Sequence, residues 1–162
     1  AKTFIYALLY GAGDAKLGQV VGGSEKSGRK LRERFFANQP TFKALRDRVT
    51  KAATKGFLKG IDGRRIHIRN THAALNSLLQ GGGAIVMKRA LVMLDANAKD
   101  EGLDYKFVAN IHDEWQVEVK TEHTEQFGQL AVQAIKDAGD HYKMHCPLDA
   151  EYKIGEDWSE TH

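Results

Sequence analysis

The chain has 162 residues, of which 42% are hydrophobic and 28% are charged, a composition typical of one globular domain or two small lobes that share a core. This composition excludes intrinsic disorder, and no continuous apolar run approaches the ~18 residues of a transmembrane helix, so we expect no membrane partner. A single cysteine, Cys146, excludes an internal disulfide framework and a CxxC zinc site, and it favours a reducing, cytoplasmic compartment.

The charge is distributed unevenly along the chain. The net charge is only +3, but residues 1–69 carry 16 Lys or Arg against 5 Asp or Glu, whereas residues 70–162 carry 8 against 16. This asymmetry predicts a lobe that binds a polyanion beside an acidic lobe. Two solvated faces of opposite sign that attract each other would give the same pattern, so charge alone leaves both interpretations open.

Four helices are predicted in the first third of the chain, because glycines and capping residues separate runs with helical spacing. They cover residues 2–10, 14–21, 25–37 and 40–54, with Asp14 and Ser24 as N-caps of the second and third. An Asp-Gly turn at residues 62–63 then predicts a hairpin between residues 57–59 and 65–69.

A long helix is predicted over residues 72–98, although it contains three consecutive glycines at 81–83. Each glycine costs about 1 kcal/mol against alanine, so we expect either a break or the close approach of a backbone or ligand. The elements that follow are strands at 105–111 and 115–120, a helix at 121–142 and a short strand near 150–154. This order predicts an α+β fold with an antiparallel sheet, and a boundary near residues 56–60.

The strongest chemical signal is the segment VANIHDEWQVEV at residues 108–119, where apolar strands flank His112, Asp113 and Glu114. Adjacent carboxylates at a hairpin tip suit a divalent cation that prefers oxygen ligands, such as magnesium. A solvated polar turn is the alternative, since Asp is common in turns.

A second signal is the spacing of Lys2, Tyr6 and Tyr10, which lie four residues apart and therefore share one helix face. A cation followed by two aromatic rings suits a phosphate next to a base or sugar. An amphipathic helix whose aromatic rings contact the core, with an extended Lys, is the alternative.

A third signal lies between residues 60 and 80. Arg64 stands on a predicted strand and suits a DNA phosphate, and His72, Asn76 and Gln80 again share one helix face. Asn and Gln side chains can read minor-groove acceptors with little base preference. A polar stripe that faces solvent is the alternative.

Together these segments resemble DNA polymerases of the polymerase I family (family A). Lys-x3-Tyr-x3-Tyr-Gly at 2–11 resembles the second half of motif B, and VANIHDE at 108–114 resembles motif C. HAALNSLLQ at 72–80 resembles the helix that tracks the primer–template. GAGD at 11–14 and the tail ending in His162 resemble the phage replicative branch, and the likeness covers essentially the whole chain.

The resemblance implies a DNA-directed DNA polymerase segment that transfers a dNTP to the primer 3′ hydroxyl of a DNA primer–template, using two magnesium ions. It implies that Asp113 is one of two metal-binding aspartates and that Glu114 is an auxiliary metal-binding carboxylate. It also implies a fingers subdomain at residues 1–58 and a palm segment at residues 59–162. If the gene belongs to a phage, the protein is expected in the cytoplasm of the host cell.

The resemblance also implies roles in substrate binding. Lys2 would neutralise the triphosphate and assist the departing pyrophosphate, Tyr6 would pack against the incoming sugar, and Tyr10 would lie by the templating base pair. A Tyr at position 6 goes with ready acceptance of dideoxynucleotides. The remaining implied roles concern DNA: contact with the primer end by His112, and minor-groove contacts by Asn76 and Gln80, with His72 close by.

Motif A, which carries the other metal-binding aspartate, does not occur in these residues. We therefore expect the C-terminal catalytic segment of a polymerase that is inactive alone and needs an upstream polymerase segment carrying motif A. Two other functions stay open: a non-catalytic nucleic-acid-binding module, and a helical interaction protein with an acidic partner. Alanine at Asp113 separates the polymerase from the module, and salt-dependent DNA affinity separates both from the interaction protein.

Overall fold

The structure is a computed structural model that describes residues 2–161. The chain divides into two compact units, residues 1–81 and residues 82–162, which we call the N-terminal unit and the C-terminal unit. Helices combine with two antiparallel pairs of strands, which confirms the predicted α+β class. The division into fingers and palm near residue 58 concerns function, and it stays a prediction.

The N-terminal unit contains the four helices and the hairpin that the sequence predicts. They are α1 (Lys2–Leu9), α2 (Asp14–Val20), α3 (Glu25–Asn38), α4 (Pro40–Ala53), β1 (Phe57–Lys59) and β2 (Arg65–His67). Ser24 is the N-cap of α3, as predicted, and its hydroxyl accepts from the Ser27 N–H at 3.4 Å. The hairpin turns at Gly63, which has a φ of +85°.

The prediction that Asp14 caps α2 is wrong. Gly13 is the N-cap, and Asp14 is the first residue of the helix. One carboxylate oxygen of Asp14 instead lies 3.2 Å from Arg29 Nε and 3.1 Å from Arg32 Nη2, both on α3. Two guanidinium groups bind the carboxylate more strongly than an N-terminal amide does, so it joins two helices.

The backbones of α2 and α3 approach each other directly. A Cβ on Gly28 of α3 would overlap the carbonyl oxygen of Asp14 and the amide of Gly18. Likewise, a Cβ on Gly18 would overlap the carbonyl group of Ser24. Glycine is therefore required at both positions for this helix pair to form.

Two apolar clusters form the core of the N-terminal unit. Leu8, Leu17 and Phe36 join the first three helices. The second cluster joins α4 and the hairpin to the residues that begin the next helix, and it contains Val49, Ala53, Leu58, Ile68, Ala74 and Leu75.

The long helix α5 (Ala74–Asp100) follows a single 3-10 turn at Thr71–Ala73 and is continuous through Gly81–Gly83. The expected break is wrong, because the helix continues through all three glycines. At Gly81 a Cβ would lie 3.1 Å from the side chain of Ile66, which is neither a backbone nor a ligand. Among the described residues, nothing lies within 4 Å of a Cβ at Gly82 or Gly83. In the part of the chain that the structure describes, a side chain next to Gly81 is thus the one close neighbour of these three glycines.

The C-terminal unit continues with β3 (Tyr105–Ile111), β4 (Glu114–Val119), α6 (Thr124–His141) and α7 (Trp158–Thr161). The first two pair as an antiparallel hairpin, as predicted. The core of the C-terminal unit includes Ala90 and Leu94 of α5, packed with Phe127 and Ile135 of α6.

The predicted strand near residues 150–154 is wrong, because these residues pair with no other strand in the described chain. Side-chain contacts hold the segment instead. The ring of Tyr152 packs where Gly128 of α6 leaves space, and its hydroxyl donates to Glu125 Oε2 at 2.6 Å. The short helix α7 was not predicted.

One helical stretch of the described chain, Thr71–Asp100, is long and apolar enough to cross a membrane by length and composition alone. The stretch contains no continuous apolar run, but interspersed alanine, leucine and valine raise the mean hydropathy of an 18-residue window to 1.2. Core helices of soluble proteins pass the same test. Since Ala90 and Leu94 are fully buried in the core, we assign α5 to the core, and the expected lack of a membrane partner stays a prediction.

Candidate functional site

The candidate metal-binding carboxylates lie at the tip of the β3–β4 hairpin. Ile111 pairs with Glu114, so His112 and Asp113 form a two-residue turn. His112 has a φ of +53°, in the left-handed region that favours glycine and is uncommon for other residues. A non-glycine residue in this region carries backbone strain, which is a feature of functional sites. The predicted hairpin tip is confirmed, with Glu114 as the first residue of β4.

The two adjacent carboxylates differ in their surroundings. Asp113 is exposed to solvent, whereas Glu114 is partly buried. Oε1 of Glu114 accepts from Gln116 Nε2 at 2.5 Å and from the Trp158 indole N–H at 3.1 Å. The hairpin therefore presents one open carboxylate beside one that is held in place. A solvated polar turn, the alternative interpretation, explains the exposed Asp113 but not the hydrogen-bonded Glu114.

The donor chemistry at the tip fits part of a divalent metal site. Adjacent Asp and Glu oxygens suit a hard cation, which takes six or more oxygen ligands. Within residues 2–161, no group of three His, Cys, Asp or Glu side chains is arranged to hold a metal.

The helix α1 presents the predicted face of a cation and two aromatic rings. Lys2 Nζ lies 5.9 Å from the Tyr6 ring centroid, and the Tyr6 and Tyr10 rings stack at 6.5 Å with an interplanar angle of 28°. The exposed fractions of the two tyrosines are 49% and 55%. Leu8, on the opposite face, is buried. The alternative in which the tyrosines contact the core is therefore wrong, and both rings are available to a ligand.

The end of α1 contacts the start of the predicted minor-groove helix. Gly11 has a φ of +78°, and a Cβ there would lie only 2.8 Å from the carbonyl oxygen of His72. The backbone N–H of His72 donates to the Asn70 side chain at 2.9 Å, which begins the 3-10 turn before α5. The structure thus places the Tyr10–Gly11 end of one predicted motif against the His72 end of another.

His72 and Gln80 are exposed and Asn76 is partly exposed, so these residues are accessible along the start of α5. The expectation that Arg64 lies on a strand is wrong, because β2 begins at Arg65 and Arg64 lies in the turn before it. Arg64 is exposed, and its Nε lies 2.6 Å from Asp62 Oδ2 in the same turn. A DNA phosphate at Arg64 would therefore share the guanidinium with Asp62.

The predicted site residues are divided between the two units. Asp113 and Glu114 belong to the C-terminal unit, whereas Lys2, Tyr6 and Tyr10 belong to the N-terminal unit.

Trp158 and Gln116 are the site residues that sequence reasoning missed. Trp158 lies 44 residues after Glu114, and no spacing rule links the two positions. The alternation of β4 provides a weak signal for Gln116, because Glu114 and Gln116 point to the same face of a strand.

Comparison with known proteins identifies the family to which the chain belongs. The sequence model of a family described as "DNA polymerase family A" matches residues 1–160 of the chain. The chain therefore belongs to DNA polymerase family A, and the resemblance drawn from its motifs is confirmed.

Similar proteins occur in phages and bacteria. The chain is 37% identical over 184 residues to the DNA-directed DNA polymerase of Enterobacteria phage T3, and 41% identical over 169 residues to that of Escherichia phage Phieco32. Both alignments cover the whole chain but only 26% and 28% of those polymerases. The chain is also 37% identical to DNA polymerase I of Aquifex aeolicus, over 98% of its own length and 29% of that protein. It thus spans between a quarter and a third of the length of these three relatives.

A solved structure has the same fold. The POL domain of Pol1 from M. smegmatis, in complex with DNA primer-template and dNTP, superimposes with a TM-score of 0.77 at 26% identity. The match covers 93% of this chain and 28% of that one.

Proposed function

We propose that this chain is the carboxylate-bearing and nucleotide-binding segment of a DNA-directed DNA polymerase that acts in DNA replication. The reaction joins the primer 3′ oxygen to the α-phosphorus of a dNTP and breaks the bond to the β-phosphate, so that pyrophosphate leaves. The observation that carries this proposal is the exposed Asp113 beside the held Glu114, on a hairpin within a chain that family A matches throughout.

Family A polymerases are generally metal-dependent, and we propose magnesium, with two ions in the complete enzyme. Asp113 would bind metal directly, and Glu114 would be the auxiliary carboxylate. When bound, the ions activate the attacking hydroxyl and neutralise charge on the leaving pyrophosphate. Since the described residues supply only these two adjacent carboxylates, we propose that an upstream segment with motif A supplies the second aspartate.

The exposed face of α1 would bind the incoming nucleotide. The Lys2 ammonium would neutralise the triphosphate and donate a proton to the leaving pyrophosphate. Tyr6 would pack against the sugar, and Tyr10 would lie by the templating base pair. The stacked, solvent-exposed rings and the nearby ammonium support this assignment.

The DNA primer–template would contact both units. The strong positive charge of residues 1–69 suits a phosphate backbone. The residues that would contact DNA are His112 near the primer end, Asn76, Gln80 and His72 in the minor groove, and Arg64 at a phosphate. These assignments correspond to fingers at residues 1–58 and palm at residues 59–162. We also propose a cytoplasmic location, supported by the free, exposed thiol of Cys146.

Primer extension with magnesium and four dNTPs tests the proposal, using this chain alone, this chain with the upstream segment, and the complete polymerase. We expect activity only when the upstream segment is present. Asp113→Ala should lower the rate of the complete enzyme by about 1,000-fold or more, because an ionised metal ligand is lost. Asp100→Asn, at the exposed end of α5, is the matched control and should match the wild type.

Two results would overturn the proposal. Activity of the complete polymerase that is unchanged by Asp113→Ala would show that the hairpin tip is not the metal site. DNA binding with steep salt dependence, but no nucleotide transfer by any combination, would favour the non-catalytic nucleic-acid-binding module.

A further inference from the structure

The C-terminal tail, defined here as residues 144–161, is held to the C-terminal unit at three places. Two of them are glycines of α6. A Cβ at Gly139 would lie 3.1 Å from Leu148, and Gly128 leaves space for the Tyr152 ring. Both glycines are buried, and each accommodates one tail side chain. The tail therefore has a defined path along α6, although most of its residues are exposed.

The third place is the β3–β4 hairpin, which carries Asp113 and Glu114. The Trp158 indole N–H donates to Glu114 Oε1 at 3.1 Å, and the Thr161 hydroxyl lies 3.2 Å from Gln116 Oε1. Gln116 in turn donates from Nε2 to the same oxygen of Glu114 at 2.5 Å. Glu114 thus accepts one hydrogen bond directly from α7, and a second from an amide that α7 contacts.

The helix α7 has only four residues, but side-chain hydrogen bonds hold its N-terminal end. Asp157 Oδ1 accepts from the backbone N–H of Ser159 at 2.8 Å and from its hydroxyl at 2.6 Å. Glu160 Oε2 accepts from the Glu156 N–H at 2.7 Å. An isolated single turn is unstable in water, so these bonds and the contact with β4 keep Trp158 in place.

We propose that the C-terminal tail positions the auxiliary carboxylate of the polymerase site, with Trp158 as the positioning residue that orients Glu114 beside Asp113. The inference rests on the proposed function. A Glu side chain has three rotatable bonds, and two donors on one oxygen restrict them before metal and nucleotide bind. Because the Glu114 side chain is already oriented, less conformational entropy is lost when metal and nucleotide bind.

This role predicts a particular kinetic signature. Loss of the indole donor should lower kcat and raise the magnesium concentration needed for half-maximal rate. The KM for dNTP should change little, because the face formed by Lys2, Tyr6 and Tyr10 is untouched. A change in overall stability alone would not produce this combination.

The test is steady-state primer extension by the complete polymerase at a series of magnesium concentrations. Trp158→Phe keeps the aromatic ring and removes the donor. Since hydrogen bonds to charged groups contribute about 1.5–3 kcal/mol when well formed, and this one is partly exposed, we expect kcat to fall about fivefold. Tyr152→Phe is the matched control, because it also removes one hydrogen bond between the tail and a carboxylate, away from the hairpin. It should keep the wild-type kcat and magnesium dependence.

A double mutant separates positioning from simple stabilisation. In a Glu114→Gln background, Trp158→Phe should have little further effect, because its target charge is already absent. The same fold-loss in both backgrounds, an equal loss in Tyr152→Phe, or wild-type kinetics of Trp158→Phe would each overturn the inference. These results are distinct from failure of the proposed function, which would appear as a wild-type enzyme without transfer activity or as an Asp113→Ala variant with full activity.

Discussion

The two units of the chain position their functional side chains by different means. In the N-terminal unit, Lys2, Tyr6 and Tyr10 owe their alignment to helical spacing, with the opposite face of α1 buried. In the C-terminal unit, Asp113 owes its place to a two-residue turn, and Glu114 is held by a residue far along the chain. The proposed nucleotide-binding face therefore depends mainly on local structure, whereas the proposed metal-binding carboxylates depend on tertiary contacts.

The two units also differ in the sign of their net charge. The basic residues are concentrated in the N-terminal unit, where they suit anionic nucleotide and DNA, and the acidic residues are concentrated in the C-terminal unit. Variants that disturb one unit should therefore affect a different step from variants that disturb the other.

The largest expected effect concerns the helix pair of the N-terminal unit. Gly28→Ala introduces a methyl group where the backbone of α2 lies, so α2 and α3 must separate. Overpacking of this kind costs about 1–3 kcal/mol or more, because backbone atoms cannot move aside as a flexible side chain can. Urea unfolding of the chain, followed by circular dichroism, measures this loss.

Gly82→Ala is the control for that experiment. A Cβ at Gly82 meets open space among the described residues, and the position lies inside a helix. Alanine there should stabilise the protein by up to about 1 kcal/mol. Equal unfolding midpoints for the two variants would contradict the close crossing of α2 and α3.

The next effect tests the nucleotide-binding face. Tyr6 is proposed to pack against the sugar, and we expect its hydroxyl to occupy the space beside the sugar 3′ carbon. Tyr6→Phe should therefore lower the relative incorporation of dideoxynucleotides by the complete polymerase by about tenfold or more. Tyr10→Phe, one turn along the same exposed face, should leave this ratio near the wild-type value. Competition between dideoxy- and deoxynucleotides in primer extension gives the ratio, and equal ratios for wild type and Tyr6→Phe would contradict the assignment.

A smaller effect is expected from exposed lysines of α3. Lys26→Ala and Lys30→Ala remove cations from the basic unit and should each lower the salt slope of DNA affinity by about 1 where they contact phosphate. Lys153→Ala, in the acidic unit, should leave the slope unchanged. Fluorescence anisotropy of labelled primer–template at several salt concentrations measures it. Identical slopes for all variants would show that α3 does not contact DNA.

The smallest expected effect concerns pH and the C-terminal unit. Tyr105 of β3 donates its hydroxyl to Asp95 of α5 at 2.7 Å, and burial together with this bond raises the pKa of Tyr105 from 10.0 to about 12. The unfolded chain loses this proton near pH 10 while the folded chain keeps it. The stabilisation is therefore fully present below pH 10 and declines as the pH rises towards 12.

Tyr105→Phe should flatten the decline in the free energy of unfolding between pH 10 and 12, as measured by urea unfolding at several pH values. Asp95→Asn should flatten it in part, because burial of the phenol remains. A wild-type slope in Tyr105→Phe would show that another group controls this range.

Much of the local structure follows from the sequence alone. The four early helices and both hairpins were predicted, because glycine and proline stops, the Ser24 cap and the Asp-Gly turn act over a few residues. The three motifs and their order were sufficient to indicate family A. The spacing of Lys2, Tyr6 and Tyr10 determines a shared face in any helix.

The tertiary structure decided what depends on contacts between distant residues. It placed Asp14 on two arginines of α3 rather than at a cap, and it kept α5 continuous through its glycines. It also brought Gly11 against His72, and Trp158 against Glu114. Residues this far apart in sequence meet only when apolar burial has folded the chain between them, so no local pattern specifies which donor reaches a given carboxylate.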